Sequence, residues 1–326
     1  MKNNIFIVIP TIRNLDFLKE WRNEFVNCHL VVVEDNREKT VNSKNLKFAS
    51  VTHFCHQDVE KDFNKDSWIF SRKNAGIRSY GFWKAYQLGA EVTITLDDDC
   101  YPGESNLVEK HLDNLNLKLP INWVTTYPDP KWMYTRGFPY SNREKYPVMV
   151  SHGLWSGALD LDAKTEIKLP RILREKTYPP IRQIIPFNYF YPMCSMNLAF
   201  KRKVTPLMFF PTMGQKPDGS SWPYNRYDDI WAGLFSKKIM DHLDLGVING
   251  SPFVEHKKAS KPKNNYQNEL AGMKMNEILW KRVSEVKLTK KTPKTCYIEL
   301  AEKIKFPNNE YFRQLKKAMI IWANLF

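Results

Sequence analysis

Cysteine is scarce in this chain, and no two cysteines form a CxxC pair. The five Cys among 326 residues stand at isolated positions, so the sequence predicts neither a zinc knuckle nor a disulfide framework. Sparse thiols are typical of a reducing compartment. Long apolar runs are also missing, since no stretch reaches the roughly 18–20 residues of a membrane span. Residues 5–9 (IFIVI) are apolar, but Pro10 ends them too early for a signal-peptide core. We therefore expect a cytoplasmic protein.

Glycine-rich phosphate loops are absent as well. Neither GxGxxG nor GxxxxGK[ST] occurs, which argues against a Rossmann dinucleotide enzyme, a flavoenzyme of that type and a P-loop NTPase. We expect no NAD and no flavin. The GxSxG elbow of serine hydrolases is missing too. No nucleic-acid module is recognisable and the positive charge is not interleaved with stacking aromatics, so nucleic acid is not a predicted partner.

Positive charge and aromatic residues are abundant. Lys and Arg number 49 against 35 Asp and Glu, a formal net charge of +14, and many lysines fall after residue 256. Such a chain prefers anionic partners, namely a phosphorylated ligand or the surface of an anionic membrane. A solvated surface is the plain structural alternative. The ten Trp and fifteen Tyr suit a sugar-binding cleft or an ordinary core.

The first hundred residues alternate between apolar strands and helical patterns. Residues 5–9, 29–33 and 92–96 are continuous β-branched or apolar runs, the signature of strands buried on both faces of a parallel sheet. Residues 51–54 predict a further strand. A helix is predicted from Asp16, capped by Asn14, and a longer one from Ser71 to about Leu88. This pattern predicts a doubly wound α/β fold whose ligand lies beyond the carboxyl ends of the strands.

The remaining sequence divides into an irregular middle and a basic tail. Residues 120–225 are rich in Pro and aromatics, residues 227–243 predict a helix, and the last thirty residues predict another with Phe312, Leu315, Met319 and Trp322 on one face. We interpret residues 1–256 as one catalytic domain, with a nucleotide-binding half (1–100) and a sugar-binding half (101–256). Residues 257–326 form a Lys-rich, mainly helical extension.

Three consecutive aspartates follow the strand 92–96. Asp97, Asp98 and Asp99 would repel one another when ionised, and a hard dication such as Mg²⁺ or Mn²⁺, shared with substrate phosphates, would relieve that repulsion. In an extended segment Asp97 and Asp99 would point to one side and Asp98 to the other. We predict Asp97 and Asp99 as metal ligands, with His256 as a third, and Asp98 as a ligand-binding residue. The alternatives are a solvated acidic turn and a structural histidine.

Further candidates for ligand-binding residues lie at the ends of predicted strands or shortly before the aspartate triplet. Thr11 and Arg13 follow the first strand, Asp35 follows the second, and Arg78 precedes the Asp triplet. We predict that these four contact the base or the phosphates; turn, cap and surface roles are their alternatives.

Three later residues are candidates for catalysis. Arg136 stands beside Gly137, where a backbone can approach a ligand closely, and its guanidinium can bind phosphate as a fork. Asp228 and Asp229 open the helix 227–243, where they could move protons or simply favour the helix dipole.

Together these motifs resemble the reversibly glycosylated polypeptides, the UDP-arabinopyranose mutases. The blocks run in order over nearly the whole chain: 7–18 (IVIPTIRNLDFL), 97–100 (DDDC), 136–139 (RGFP), 151–155 (SHGLW), 192–200 (PMCSMNLAF), 226–233 (RYDDIWAG), 241–243 (DHL), His256 with 258–260 (KAS), and 296–300 (CYIEL). The resemblance implies a GT-A-like fold (a Rossmann-like mixed sheet flanked by helices), a UDP-sugar and a divalent cation. It also implies pyranose–furanose interconversion of the sugar, transient glycosylation of an arginine, here Arg136, and a homo- or hetero-oligomer.

The chain departs from the family pattern at Asn36, over residues 55–70 and in residues 214–225, which look longer than usual. Where such departures face the ligand, they would change the sugar or the base. Two other functions stay open at this point. One is a glycosyltransferase, including a self-glycosylating one, that uses a UDP-sugar donor. The other is a non-catalytic nucleotide-sugar-binding subunit.

Overall fold

A computed structural model describes residues 4–43, 46–127, 129, 132–169, 175–176, 181–257 and 262–326. The strands are β1 (Ile5–Thr11), β2 (His29–Glu34), β3 (Ser50–Phe54), β4 (Val92–Leu96), β5 (Cys100–Pro102), β6 (Lys118–Leu119), β7 (Tyr146–Ala158), β8 (Glu175–Lys176), β9 (Arg182–Ile184), β10 (Asn197–Lys201) and β11 (Gly246–His256). The α-helices are α1 (Arg22–Phe25), α2 (His56–Phe63), α3 (Arg78–Gln87), α4 (Leu107–Asn116), α5 (Ala163–Lys168), α6 (Asp228–His242), α7 (Pro262–Ser284), α8 (Pro293–Lys303) and α9 (Glu310–Ala323).

One mixed sheet organises the chain, in the order β3-β2-β1-β4-β10-β7-β11-β5. Strands β3, β2, β1 and β4 are parallel to one another. β10 lies antiparallel between β4 and β7, and β11 runs parallel to β7 and antiparallel to β5. The short strands β6 and β8 pair with β7, and β9 pairs with β11. The four parallel strands of the predicted nucleotide-binding half are therefore extended by strands of mixed direction.

The sheet separates two apolar cores. Successive side chains of a strand point to opposite faces, so Phe6 and Val8 enter one core and Ile7 and Ile9 enter the other. Helices α3, α6, α8 and α9 cover the first face, and α1 and α4 cover the second. The fold is thus a helix–sheet–helix sandwich, which confirms the predicted GT-A-like α/β class. None of the helices in the described ranges is long and apolar enough to cross a membrane.

The strands predicted from apolar runs are confirmed, whereas the predicted helices differ at their starts. The helix predicted from Asp16 is a 3-10 turn (Asp16–Lys19) followed by the single turn of α1, although its apolar face is buried as expected. The helix predicted from Ser71 begins only at the 3-10 turn Ala75–Ile77 and continues as α3. The reason is that Arg72 pairs with the segment at Gly214, while the Asn74 side chain accepts a hydrogen bond from Gly76 N.

The middle section is more regular than its composition indicated. β7 runs for 13 residues through Pro147, Gly153 and Gly157, and proline and glycine both interrupt the sequence signature of a strand. Gly153 is required there because a Cβ would lie 2.1 Å from the Asn197 side-chain nitrogen. Sequence patterns therefore did not predict this long central strand, because close packing against neighbouring residues requires residue types that are uncommon in strands.

The C-terminal helix α9 packs into the first core. Phe312, Leu315, Met319 and Trp322 are all buried, as the predicted face requires. The Trp322 indole donates a hydrogen bond to Pro206 O at 2.9 Å and packs against Phe209. The helices after residue 257 thus share a core with α6, while the domain boundary drawn there stays a prediction. Residues 258–260, part of the family resemblance, lie outside the described residues.

We expect Trp322→Ala to lower the free energy of unfolding by about 3–5 kcal/mol, because it empties a fully buried indole site. The matched control is Trp280→Ala on α7. The Trp280 side chain is 40% exposed, so its loss should change the free energy of unfolding by about 0.5 kcal/mol at most. Urea unfolding of both variants measures the difference. Equal, small effects would mean that α9 does not contribute to the core.

Candidate active site

A fully buried arginine organises the candidate site. The Arg78 guanidinium forms an ion pair with Asp97 and donates to Thr95 Oγ1 at 3.0 Å, to Ser195 O at 2.8 Å and, through Nε, to Ala75 O at 3.0 Å. Its charge in the interior is stable because Asp97, and then Asp229 and Asp228, raise its pKa against the opposing effect of burial. Arg78 therefore acts on the site through Asp97, whereas the sequence predicted a direct contact with a phosphate.

The aspartate triplet forms a turn at the end of β4. Cys100 N donates to Asp97 O at 3.2 Å, so the segment is not extended. The predicted alternation is therefore wrong, and each carboxylate meets a different partner: Asp97 faces Arg78, Asp98 faces Thr11 and Arg13, and Asp99 faces His256.

Thr11 and Arg13 support the central aspartate. Thr11, at the end of β1, donates to Asp98 Oδ2 at 2.7 Å, and Arg13 Nη2 lies 2.6 Å from Asp98 Oδ1 and 3.7 Å from Asp99 Oδ2. The Arg13 side chain is 46% exposed, whereas that of Asp98 is 5% exposed. Of these residues, Arg13 can therefore turn toward an incoming anion.

Asp99 and His256 face each other across a gap. His256 Nδ1 donates to Ala158 O at 2.9 Å, which leaves Nε2 as the ring nitrogen that faces Asp99 Oδ1, 3.8 Å away. Burial, and next the neighbouring Asp97, raise the pKa of Asp99. Asp99 thus carries the least compensated charge of the triplet.

The donor set fits a cation that is shared with a ligand. In the described ranges no three His, Cys, Asp or Glu side chains are grouped to hold an ion on their own. Asp99 and His256 supply one oxygen and one nitrogen, and Mg²⁺ is commonly held by one or two protein ligands together with substrate phosphates. Asp97, which was also predicted as a metal ligand, is turned instead to Arg78.

Asp35, predicted to meet a base edge, is an anchor within the protein. Its carboxylate accepts hydrogen bonds from Lys73 N at 3.1 Å and Asn74 N at 3.0 Å, and it lies 2.7 Å from His56 Nε2. Both of its oxygens are occupied by these contacts. Asp35 thereby fixes the turn that leads into Arg78.

Asp228 and Asp229 begin α6 beside Arg78. Asp229 accepts hydrogen bonds from Ser195 N at 3.1 Å and Ser195 Oγ at 3.2 Å, and Asp228 lies 3.4 Å from the amide of Asn74. Desolvation, followed by the charges of Asp228 and then Asp160, raises the pKa of Asp229 to about 8. At neutral pH Asp229 therefore holds a proton that it can donate.

Arg136 lies apart from these carboxylates. Its side chain is exposed, and within the described part of the chain it forms no hydrogen bond or ion pair. Gly137 has φ +93° and no atom within 4 Å of a Cβ position, so the loop around it is open. The structure does not bring Arg136 together with the aspartates, and its predicted role stays a prediction.

Sequence reasoning missed Asn74 and Ser195, and it missed the hydrogen bond through which His152 acts. His152 is buried, and its Nε2 accepts from Cys194 N at 2.9 Å, which fixes the segment that presents Ser195 to Asp229. Asn74 bridges toward Asp228, 154 positions away. The only sequence signal for Ser195 and His152 was their place in blocks 192–200 and 151–155, because hydrogen bonds between distant segments leave no periodicity.

The mixed sheet, with an acidic turn at the exit of its fourth parallel strand, defines a GT-A-like α/β protein. The chain belongs to the reversibly glycosylated polypeptide family, whose model matches residues 1–326. This finding confirms the resemblance seen in the sequence.

Relatives in plants are similar over the whole length. "UDP-arabinopyranose mutase 1" of Arabidopsis thaliana is 35% identical over 99% of this chain and 92% of its own. "UDP-arabinopyranose mutase 1" of Oryza sativa subsp. japonica is 35% identical over 99% and 90%. "Probable UDP-arabinopyranose mutase 4" of Arabidopsis thaliana is 33% identical over 99% and 90%. A solved structure titled "Crystal Structure of a Mycobacterial Protein" has a TM-score of 0.41 at 10% identity, over 94% of this chain and 77% of that one, a similarity too low to support an argument.

The raised pKa of Asp229 predicts a pH-dependent stability. An aspartate in the unfolded chain has a pKa of about 3.9, so between this pH and about 8 the folded protein keeps a proton that the unfolded chain loses. The contribution of Asp229 to the free energy of unfolding therefore declines as the pH rises from about 4 through about 8. We expect the wild type to lose stability relative to Asp229→Asn over this interval in urea unfolding at matched pH. The exposed Asp16→Asn is the control. A wild-type–Asp229→Asn difference that does not vary with pH would contradict the assignment.

Proposed function

We propose that this protein is a metal-dependent mutase that interconverts the pyranose and furanose forms of a UDP-sugar, with UDP-arabinose as the expected substrate. The observation that carries the proposal is the whole-chain similarity to proteins named UDP-arabinopyranose mutase. The grouping of Asp97, Asp98 and Asp99 with Arg13 and His256 at the exit of β4 supports it, because Asp99 and His256 could hold a divalent cation that, together with Arg13, compensates the charge of a sugar diphosphate.

A divalent cation would be held by Asp99 and His256, with the diphosphate completing its coordination. When bound, it would stabilise the negative charge of the departing diphosphate. Arg13, which is half exposed, would contact the same phosphates from the other side of Asp98. Arg78 keeps Asp97 in place by compensating its charge.

Ring interconversion needs proton transfer away from the phosphates. The bond between C1 of the sugar and the diphosphate oxygen would break as a nucleophile bonds to C1. The bond from C1 to the ring oxygen would then open as that oxygen takes a proton, a different hydroxyl would lose its proton and bond to C1, and the diphosphate oxygen would finally displace the nucleophile. Asp229, protonated near neutral pH, would donate a proton to a sugar oxygen, and Asp228 beside it would accept one. Ser195 fixes the Asp229 carboxyl through two hydrogen bonds.

Arg136 is our candidate for transient glycosylation. A nitrogen of its guanidinium would bond to C1 as the C1–oxygen bond breaks, UDP would leave with the electron pair, and the guanidinium proton would pass to the departing diphosphate. Reversal of these steps would restore the free arginine. The open loop around Gly137 supports the role, since it leaves Arg136 accessible to a sugar.

We also infer a cytoplasmic location and an oligomeric, homomeric or heteromeric state for this protein. All five cysteines are buried and unpaired, in keeping with a reducing compartment. The net charge of +14 supports peripheral contact with an anionic membrane surface.

Incubation with UDP-arabinopyranose and Mn²⁺ in the absence of an acceptor is expected to yield the furanose isomer without net release of UDP, as resolved by chromatography. Asp99→Asn should lower kcat roughly 100-fold or more, because the leaving group loses electrostatic stabilisation. The exposed Asp16→Asn should leave kcat unchanged. Release of UDP with transfer of the sugar would favour a glycosyltransferase, and no turnover with any UDP-sugar would favour a non-catalytic subunit.

Arg136→Lys should abolish covalent labelling of the protein by a radiolabelled UDP-sugar, because a lysine ammonium does not supply the planar, forked set of guanidinium nitrogens. Mass spectrometry of the peptide that contains position 136 locates the modification. The comparison variant is Arg143→Lys in the same loop. Full labelling and turnover in Arg136→Lys would remove this arginine from the covalent role, and loss of labelling in Arg143→Lys alone would transfer the role to Arg143.

A further inference from the structure

A cavity of about 310 Å³ lies outside the cluster of aspartates. Its walls are the turn at Lys73, the segment 214–225 and the exposed side of α7. This is the segment that looks longer than the family pattern. Neither the proposed cation site nor the proposed proton transfers use the cavity, so its lining chemistry has to be explained separately.

The lining is polar but almost uncharged. Lys73 is the single charged residue among eleven, and no carboxylate is present, although charged residues make up 26% of the chain. Among the lining residues are four with carboxamide side chains and two with aromatic rings: Gln215, Asn225, Gln267, Asn268, Trp222 and Tyr224. A carboxamide both donates and accepts hydrogen bonds, as a sugar hydroxyl does, and an aromatic ring offers a flat apolar face.

The wall formed by segment 214–225 is fixed in place. Gln215 N donates to Arg72 O at 2.8 Å, and Trp222 N donates to Gly214 O at 2.9 Å. Gly214 has φ +74°, and a Cβ there would lie 2.5 Å from Arg72 O, so only glycine permits this close approach. The Trp222 ring packs edge-on against Tyr311, 5.7 Å away. The aromatic wall is therefore ordered before any ligand arrives.

The opposite wall, α7, is fixed as well. Arg226 Nε forms an ion pair with Glu269 at 3.1 Å, and a Cβ at Gly272 would lie 2.3 Å from the Tyr227 ring, so the helix touches that ring. Gln267 and Asn268 are exposed next to these contacts and make no hydrogen bond within the described part of the chain. Their amides are free to meet a ligand.

We propose that this cavity is a second carbohydrate site that binds a neutral, hydroxyl-rich saccharide. The absence of carboxylates from the lining disfavours a cationic ligand. Lys73 is the single charged residue of the lining, and Lys216 Nζ, 4.8 Å from the centre of the Trp222 ring, is engaged with that ring. The site borders the candidate active site: Asn225 accepts from Asn74 Nδ2 at 3.1 Å, and the same Asn74 nitrogen lies 3.4 Å from Asp228. Binding of the saccharide itself does not require that the mutase reaction proposed above is correct.

Isothermal titration of the full chain with neutral arabino-, xylo- and gluco-oligosaccharides tests the proposal, with UDP and inorganic phosphate as charged probes. Ala271→Trp, which fills the cavity from the exposed side of α7, should weaken saccharide binding at least about tenfold. Gln267→Ala should weaken it by roughly 2–10-fold, the effect of one lost hydrogen bond. Asn264→Ala, exposed on the same helix but outside the lining, is the matched control and should bind normally.

Three outcomes would overturn the proposal: no saccharide binding up to concentrations on the order of tens of millimolar, binding that survives Ala271→Trp, or displacement of the saccharide by UDP. Asp99→Asn separates this test from the test of the mutase. It should bind the saccharide like the wild type, because Asp99 does not line the cavity, even though its turnover is expected to fall.

Discussion

The site depends on one positive charge in the interior of the protein. Removing a guanidinium from water is costly unless carboxylates and hydrogen-bond acceptors replace its hydration. Arg78 meets this requirement with the carboxylate of Asp97 and with acceptors from the start of α3, from β4 and from the segment before β10. Leaving one member of such a buried pair alone costs about 3–5 kcal/mol. The ion pair and the hydrogen bonds of Arg78 therefore hold these three segments together at the edge of the apolar cores.

This constraint gives neighbouring carboxylates different properties. Asp97 is neutralised by Arg78, and Asp98 is held by Thr11 and Arg13. Asp99 faces only the distant guanidinium of Arg13 and an imidazole nitrogen. Asp229 is desolvated and close to Asp228, so it retains its proton. The aspartate triplet thus provides an anionic position for a cation, and Asp229, beside Arg78, provides a neutral acid.

The sheet and the position of the acidic turn could be predicted from sequence because they follow from local patterns. The apolar runs at 5–9 and 92–96 specify buried strands, and parallel strands bring their carboxyl ends to one edge. The partners of the charged residues could not be predicted in this way. Asp35 binds the turn before Arg78 and Asn74 approaches Asp228, pairings that depend on how distant segments pack. The long strand β7 was not predicted because Pro147, Gly153 and Gly157 interrupt the sequence pattern that is typical of a strand.

A mutase that keeps the departing diphosphate and the sugar bound needs positive charge at C1 of the sugar and proton transfer at its hydroxyls. Breaking the bond at C1 places negative charge on the diphosphate, so positive charge must be concentrated there. Reclosure of the ring requires a proton donor and acceptor at the hydroxyls, where an added cation would suppress protonation. Arg13 and a cation held by Asp99 and His256 would meet the first demand. Arg78 serves the second, because its charge is compensated by Asp97, Asp229 and Asp228 and does not reach the sugar. On the proposed reaction, this arginine separates the two ends of the site.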